Sequence, residues 1–296
     1  MNDNTTPVTP AKSVIAVHDL ACLGRAALTL VVPTLAAMGV QPIPLPTAIL
    51  SAHTGFPGVA VQRLDDFMPA CLDHWKGLDV RADAVYSGYL ASVDQVDLVK
   101  EIIAWQKAAH PVLTVVDPAM ADNGHLYTGL PQDMPTAMKR LCDGADVITP
   151  NLTEASMMLG LPYAEGPQSN EALFHLLSGF DAGEVVITSA VLEDGTHANL
   201  CRARGEAGFW ACPYSRVDAA YHGTGDLFAS VLTGALMRGE ATKDAVALAG
   251  GFVRRVIELS AACGVAERDG IQLEIALPLL MSGDIPREAS IYIQRR

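Results

Sequence analysis

Short apolar runs rich in Val and Ile alternate along the chain with longer segments in which apolar residues follow helical spacing. Runs of the first kind are typical of buried strands, and segments of the second kind are typical of helices. Their alternation predicts an α/β fold in which helices cover a parallel sheet. The predicted strands are SVIAVH (13–18), DAVYSG (83–88), PVLTVVD (111–117), DVIT (146–149) and EVVITSA (184–190).

The segments between these runs predict helices. The spacing of apolar residues indicates helices over 93–110 and 134–143. The most apolar stretch, residues 26–40, contains Pro33 and is shorter than the roughly 20 residues that cross a bilayer. We therefore expect a buried helix there and no contact with a membrane.

Later segments and the two ends of the chain set the domain boundaries. Residues 197–203 and 209–215 predict a hairpin near the sheet edge, followed by mainly helical structure. No repeat or long linker interrupts the pattern, so we expect one domain over 13–290. Residues 1–12 are polar and lack the basic start and apolar block of a signal peptide, which predicts a disordered tail.

One stretch fits neither pattern. Residues 44–58, PLPTAILSAHTGFPG, are rich in Pro, Gly and Thr. Such a segment predicts a loop, either an ordinary surface loop or a flap over an active site.

Composition narrows the class of protein. Half of the 296 residues are apolar, which is enough for one sizeable core or for two small ones. The net charge of −13 argues against a nucleic-acid or anionic-membrane surface, although a local phosphate site remains compatible with it. The six cysteines form no C-x-x-C pair, so we expect a reducing, cytoplasmic compartment with cysteines as small buried apolar residues.

The segment YHGTGDLFASVLTG (221–234) is the first candidate site. Two glycines surround Thr224 and precede a predicted helix, whose N-terminal N–H groups attract anions. Asp226 has two interpretations: it caps this helix, or it acts as a base that takes a proton from an alcohol while nearby N–H groups stabilise a phosphoryl group. The four residues G-T-G-D do not separate these alternatives.

Oxygen-bearing side chains follow two predicted strands. The strand over 111–117 ends in DPAMADNG, which contains Asp117 and Asp122, and the strand over 146–149 ends in T-P-N-L-T-E, which presents Thr149, Asn151 and Glu154. Each residue alone is a common turn or cap residue. Together at strand ends they are the ligands that a hard cation and a nucleotide phosphate require, and they make zinc unsuitable.

Longer motifs resemble a known family. VDPAMADNG, DVITPNLTEA, VVITSA and RVDAAYHGTGDLFAS are similar in order and spacing to segments of pyridoxal kinases of the ribokinase superfamily, and PLPTAILSAHTG and YSGYLAS are similar to that family's substrate-side segments. The resemblance covers roughly residues 13–265. It implies a three-layer ribokinase-like fold without a large lid domain, and transfer of the γ-phosphoryl group of ATP to the 5′-hydroxymethyl group of pyridoxal, pyridoxine or pyridoxamine.

The resemblance also implies roles for individual residues. Asp226 matches the catalytic base, and Gly223, Thr224 and Gly225 match the anion hole. A monovalent cation, K⁺ in our expectation, and Mg²⁺ are implied at Asp117, Asp122, Thr149 and Glu154. The nucleotide-binding positions are Asp117, Asn151, Glu154, Thr188, Ser189, Val217, Asp218, Ala219 and Thr224.

On the substrate side, the resemblance implies contacts from His53, Thr54 and Tyr89. Many relatives read S-N-H-T where this chain has Ala52 in the second position, and many carry serine at the position of Asp19. A carboxylate beside a pyridine nitrogen favours the protonated ring. We therefore expect Asp19 to contact the ring nitrogen or the 3-hydroxyl side of the substrate.

Three alternatives remain open. Hydroxymethylpyrimidine kinases share the D-P and T-P-N blocks, although they commonly read G-T-G-C at the helix start. Sugar kinases of the same fold usually carry a small β lid and G-A-G-D. A vitamer-binding protein without turnover is the third alternative. The resemblance also implies a homodimer.

Overall fold

The computed structural model describes residues 10–294. Its strands are β1 (Ser13–Ala21), β2 (Gln41–Leu50), β3 (Val61–Arg63), β4 (Ala84–Ser87), β5 (Leu113–Val116), β6 (Ala121–Asp122), β7 (His125–Leu126), β8 (Val147–Ile148), β9 (Glu184–Val191), β10 (His197–Ala203), β11 (Gly208–Pro213) and β12 (Ile291–Gln294). Its α-helices are α1 (Leu28–Ala37), α2 (Phe67–Gly77), α3 (Val93–Lys107), α4 (Met134–Cys142), α5 (Leu152–Met158), α6 (Asn170–Ser178), α7 (Thr224–Met237), α8 (Thr242–Ala262) and α9 (Leu273–Ser282).

Ten strands form one sheet in the order β12-β11-β10-β9-β8-β5-β4-β1-β2-β3. The six central strands from β9 to β2 are parallel, whereas β3 at one end and β10 to β12 at the other are antiparallel to their neighbours. β4 is buried along its length, as expected for a central strand that is covered on both faces. The predicted mostly parallel sheet is therefore confirmed.

Alternate residues of β1 face two separate cores. Ile15 and Val17 pack in a core with helices α2 to α6, whereas Val14 and Ala16 pack in a core with α1 and α7. On this second side α7 packs on α8, which covers β10 and β11. One layer of helices covers each face of the sheet, which confirms the predicted three-layer fold.

The predicted elements compare well with those observed, with one clear error. All five predicted strands form, as do the helices over 93–110 and 134–143 and the hairpin of β10 and β11. The apolar stretch 26–40 contains the buried helix α1. Residues 44–50, however, belong to β2 and not to a loop, so only the second half of the predicted flap is irregular.

Proline placement explains this error. Pro42, Pro44 and Pro46 lie at alternate positions of β2 and therefore face the same side of the strand. Gln41, on the other side, donates its N–H to the carbonyl oxygen of Lys12 beside β1. Since β3 pairs only with residues 48–50, the prolines face a side that lacks a strand partner among the described residues. The missing N–H groups thus cost no ladder hydrogen bond.

The chain ends and two of the six cysteines differ from the sequence-based expectation. Of the predicted tail over 1–12, residues 1–9 lie outside the described part of the chain, and β12 lies just beyond the predicted domain end at 290. All six cysteines are free, but Cys22 and Cys263 are exposed, so the expectation of buried cysteines is wrong for these two. Between residues 10 and 294, none of the helices combines the length and apolar character needed to cross a membrane.

Candidate active site

The strand order places a crevice at the carboxyl edge of the sheet. From β1 the chain continues to β2 on one side of β1, and it later returns to place β4 on the other side. At such a reversal of strand order, the connections leave in opposite directions and open a space beyond the carboxyl ends of the strands, where α/β proteins bind ligands. A cavity of about 590 Å³ lies there. The predicted site residues that line it are Asp19, His53, Thr54, Tyr89, Asp117, Asp122, Thr149, Asn151, Glu154, Thr188, Ser189, Gly223, Thr224, Gly225 and Asp226.

Asp226 lies in the first turn of α7 but does not cap it. Gly223 is the N-cap residue, which makes Asp226 the third residue of the helix. Its Oδ2 atom accepts a hydrogen bond of 2.8 Å from the backbone N–H of Ala27, at the start of α1. The carboxylate is therefore held from outside its own helix, and the capping interpretation of Asp226 is wrong.

Gly223 allows the chain to enter α7 at this place. Its φ of +84° lies in the left-handed region, and a Cβ there would clash with the carbonyl oxygen of Arg25. Gly225 differs, because a Cβ at that position would meet no atom within 4 Å. The residues at the helix start, whose N–H groups have no acceptor within the helix, line the cavity.

Burial raises the pKa of the two carboxylates near the start of α7. Desolvation raises the pKa of Asp226 to about 6, and the hydrogen bond from Ala27 opposes that rise. Asp19, at the end of β1, is 7% exposed, and burial together with the charge of Asp226 raises its pKa to about 7. Within residues 10–294, no other residue makes a hydrogen bond or ion pair with the Asp19 carboxylate. Apart from the hydrogen bond with its own backbone, the Asp19 carboxylate is therefore open to a ligand in the cavity that it lines.

A second carboxylate pair lies at the ends of β5 and β8. Burial raises the pKa of Asp117 well above its usual value, and the charges of Glu154 and Asp226 add to that effect. Burial likewise raises the pKa of Glu154 to about 8, although its side chain accepts hydrogen bonds from three backbone N–H groups, those of Met120, Ala121 and Asn151. Between residues 10 and 294 neither carboxylate forms an ion pair, and two such buried carboxylates favour binding of a cation.

The Thr149 hydroxyl supports this interpretation. Its oxygen is buried and meets no hydrogen-bond partner at regular geometry, although it lies close enough to Asp117 to offset part of that residue's pKa rise. A buried hydroxyl oxygen beside the Asp117 carboxylate fits a hard cation. In the described residues, however, no three or more His, Cys, Asp or Glu side chains are grouped so as to hold a metal by themselves. A cation here would need further oxygen ligands, from substrate or water.

Asn151 and Asp122 stand at the same edge. Asn151 caps α5: its Oδ1 atom accepts from the backbone N–H of Glu154, and its Nδ2 atom donates to the carbonyl oxygen of Ala121. One amide hydrogen remains for a ligand. Asp122 is exposed on the hairpin of β6 and β7, where its carboxylate accepts hydrogen bonds from Asn123. It can therefore reach a ligand in the open part of the cavity.

The predicted nucleotide-side residues divide into two groups. Thr188 and Ser189 line the cavity where β9 bulges, and Ser189 has a φ of +57°. Residues 217–219 do not line the cavity. Their expected contact with adenine stays a prediction and would lie beyond the cavity wall.

Both ring nitrogens of His53 are hydrogen-bonded within the protein, although the residue lines the cavity. Its Nδ1 atom accepts from the backbone N–H of Gly55, so Nε2 carries the proton and donates to the carbonyl oxygen of Arg268. The imidazole of His222 lies 4.6 Å away, centroid to centroid. Burial and the charge of His222 lower the pKa of His53. His53 is therefore neutral and offers a ligand only its ring face.

The neighbouring substrate-side residue is Tyr89. Burial raises the pKa of Tyr89, and the charge of Asp19 adds to that effect. Its carbonyl oxygen accepts a hydrogen bond from the Thr47 hydroxyl, which ties the end of β4 to β2. The phenol is therefore a neutral aromatic wall beside Asp19.

Several cavity residues were not predicted. His222 directly precedes Gly223, and this adjacency could have indicated it; Tyr127 follows the Asn123-Gly124 hairpin turn, which is also visible in the sequence. Ala27 gave no signal, since its role depends on its backbone alone. The other lining residues that sequence analysis missed are Ala26, Leu50, Ala119, His125, Leu126, Thr128, Tyr221 and Phe228.

The chain is similar to kinases of small heterocycles. A sequence model of the phosphomethylpyrimidine kinase family matches residues 31–270. A pyridoxine/pyridoxal/pyridoxamine kinase of Bordetella avium is 31% identical over 79% of this chain and 80% of its own length.

Solved structures agree with the family in sequence and in fold. A protein of Bacteroides thetaiotaomicron, provisionally named a phosphomethylpyrimidine kinase and crystallised with pyridoxal, is 38% identical with a TM-score of 0.89, covering 96% of this chain and 100% of that one. The pyridoxal kinase of Lactobacillus plantarum is 30% identical with a TM-score of 0.84, covering 92% and 98% of the two chains. The chain therefore belongs to the ribokinase-like family that contains the pyridoxal and phosphomethylpyrimidine kinases.

Proposed function

We propose that the protein phosphorylates the 5′-hydroxymethyl group of pyridoxal, pyridoxine or pyridoxamine, with ATP as phosphoryl donor, in the salvage of pyridoxal 5′-phosphate. The observation that carries this proposal is the position of Asp226. Its carboxylate lies at the start of α7, beside free backbone N–H groups and within a cavity large enough for a small heterocycle. The names of the similar kinases from Bordetella and Lactobacillus support the choice of substrate.

Asp226 is the proposed general base. A pKa of about 6 leaves the carboxylate mostly ionised at neutral pH and still basic enough to take the proton of the attacking hydroxyl. The hydrogen bond from Ala27 holds the carboxylate in place. The N–H groups of Gly223, Thr224 and Gly225 are the proposed donors to the phosphoryl group in transfer, because they lie at the positive end of the helix dipole.

We further propose that Asp117, Thr149, Glu154 and Asp122 hold the cations, Mg²⁺ and a monovalent ion such as K⁺. Bound there, the cations would neutralise charge on the phosphates of ATP. The raised pKa values of Asp117 and Glu154 and the orphan hydroxyl of Thr149 support this arrangement. These side chains keep their negative charge at low cost only while a cation is bound.

The two substrates are assigned to opposite parts of the cavity. Asn151, Thr188, Ser189 and the segment 217–219 are the proposed nucleotide contacts. Asp19, His53, Thr54 and Tyr89 are the proposed vitamer contacts, with the heterocycle against the ring face of His53. Asp19 would contact the ring nitrogen or the 3-hydroxyl side, and an unchanged kcat/KM in Asp19→Ala would contradict that contact.

A second candidate activity is phosphorylation of hydroxymethylpyrimidine. The match of the phosphomethylpyrimidine kinase model to residues 31–270 favours it. Asp226 at the helix start argues for the vitamer kinase, as does the A-H-T-G segment around His53. A vitamer-binding protein without turnover is the remaining alternative, and it would release no ADP.

We also propose a cytoplasmic homodimer. The free cysteines support a reducing compartment, and the family resemblance supports the dimer. Light scattering on the purified chain would measure its mass in solution.

The experiment that tests the proposed function is a coupled assay of ADP release with MgATP and K⁺. Pyridoxal, pyridoxine, pyridoxamine and hydroxymethylpyrimidine are compared at equal concentration. Turnover of the three vitamers supports the proposal. Turnover mainly of the pyrimidine supports the second candidate, and vitamer binding without ADP release supports the binding protein.

A further inference from the structure

The strand β9 contains a bulge at the edge of the cavity. In the pairing of β9 with β10, Ala190 lies opposite Ala198 and Ile187 lies opposite Leu200. Thr188 and Ser189 on β9 therefore face the single residue Asn199 on β10. A bulge of this kind bends a strand and redirects side chains, and bulges are common beside active sites.

The backbone at the bulge is unusual for its residue type. Ser189 has a φ of +57°, in the left-handed region that residues with a Cβ seldom adopt. Both bulge residues line the cavity, and Ser189 is exposed within it. Without support, such a conformation costs on the order of a kcal/mol or more, so neighbouring groups must hold it.

Asn199 supplies that support. Its Oδ1 atom accepts a hydrogen bond of 3.2 Å from the backbone N–H of Ser189. The residue is 6% exposed and does not line the cavity. On its other side lies α8, where a Cβ on Gly250 would come within 3.0 Å of the Asn199 Nδ2 atom. The amide is thus confined between strand and helix, with its oxygen towards Ser189.

We propose that Asn199 is a positioning residue for the nucleotide: it holds Ser189 in the left-handed conformation that directs the bulge into the ATP side of the cavity. This inference rests on the proposed function, because it takes Thr188 and Ser189 as nucleotide contacts. Asn199 touches neither substrate and acts only through the backbone of Ser189.

The test uses Asn199→Ala and Asn199→Ser, neither of which can reach the Ser189 N–H. Cys201→Ala is the matched control, since Cys201 is buried on the same strand and lies outside the cavity. Each variant is titrated with ADP by calorimetry and assayed for kcat and for the KM of MgATP and of pyridoxal. Thermal unfolding establishes that each variant is folded.

We expect both Asn199 variants to weaken ADP binding and to raise the KM of MgATP about tenfold, with the KM of pyridoxal unchanged. In a Ser189→Gly background the loss should be less than about threefold, because glycine adopts the left-handed conformation without support. Equal losses in both backgrounds would overturn the proposal, as would ADP affinities equal to those of wild type or of Cys201→Ala.

The same measurements separate this inference from the proposed function. If wild-type protein binds ADP but phosphorylates none of the vitamers, the proposed function fails, and the ADP titrations still decide the role of Asn199. If wild-type protein binds no ADP, both are overturned.

Discussion

The backbone nitrogen of Ala27 lies 2.8 Å from the Oδ2 atom of Asp226, although 199 residues separate them in the chain. This hydrogen bond joins the start of α1 to the start of α7 and orients the carboxylate in the first turn of α7. Ala27 holds an unusual conformation to make it, with φ +49° and ψ −130°. The proposed base is thus positioned by a backbone group, whose donor survives any substitution except proline.

Asp226→Ala and Asp226→Asn should lower kcat by about 10² or more while leaving ATP affinity nearly unchanged, because general base catalysis typically contributes that much. In the wild type, kcat/KM should fall as the pH drops below about 6, where Asp226 becomes protonated. Asp244→Asn is a suitable control, since Asp244 lies in the first turn of α8, outside the cavity. Steady-state kinetics across pH would measure both effects. A kcat within about threefold of wild type would remove Asp226 from this role.

Ala27→Gly should raise the free energy of unfolding by about 1 kcal/mol, because glycine adopts the conformation of Ala27 without the strain that alanine bears there. Ala36→Gly, on an exposed position within α1, should instead lower it by about 0.5–1 kcal/mol. Urea denaturation of the two variants would measure both signs. A loss of stability in Ala27→Gly would show that Ala27 is not strained.

Gly223→Ala should lower the free energy of unfolding by about 3 kcal/mol, because the new Cβ combines a left-handed φ with a clash against the backbone of Arg25. Gly225→Ala meets open space and should leave stability within about 0.5 kcal/mol of wild type. We nevertheless expect its kcat to fall, since the added methyl group would project where the phosphoryl group is proposed to bind. Denaturation and ADP release measured side by side on both variants would check this contrast, which equal stabilities would contradict.

Glu154→Gln should raise the Mg²⁺ concentration needed for half-maximal activity about tenfold, because it removes one of the two buried charges that would attract the cations. Glu184→Gln serves as the control, because burial raises the pKa of Glu184 too but the residue lies outside the cavity. Activity measured against Mg²⁺ concentration at fixed ATP would show whether Glu154 contributes to cation binding. An identical Mg²⁺ dependence in both variants would place the cation elsewhere.

The contribution of Asp19 to the stability of the protein should fall as the pH rises from about 4 to about 7. Folding raises the pKa of Asp19 to about 7 from its ordinary value near 4, so the folded state binds more protons in this window and loses their stabilising effect as they dissociate. Asp19→Asn removes this contribution and should raise the free energy of unfolding at pH 8, relative to wild type, by up to about 4 kcal/mol, with little gain at pH 4. Denaturation at the two pH values would measure the difference, and a gain independent of pH would contradict it.

The amino-acid pattern was sufficient for the main elements and for most of the candidate site. The run Val14 to Val17 is apolar throughout because both faces of β1 are covered, and this pattern predicted a buried strand. The helical spacing of apolar residues over 93–110 predicted α3, because one side of that helix packs on the core. The oxygen-bearing residues at the ends of β5 and β8 could be grouped because parallel strands end at one edge. Where periodicity was broken, as by the alternate prolines of β2, the pattern misled.

By itself, the sequence determined which segments become strands and helices and which residue types can carry the chemistry, because these depend on local spacing and on side-chain identity. Only the tertiary structure decided that Asp226 is held by Ala27, that His53 is fully hydrogen-bonded, and that Asn199 supports Ser189. Apart from the bond between His53 and Gly55, which is two residues away, each of these relationships joins a backbone group to a partner on another element or loop. Hydrophobic periodicity carries no record of such pairs, since the packing of the whole chain sets their distance and direction.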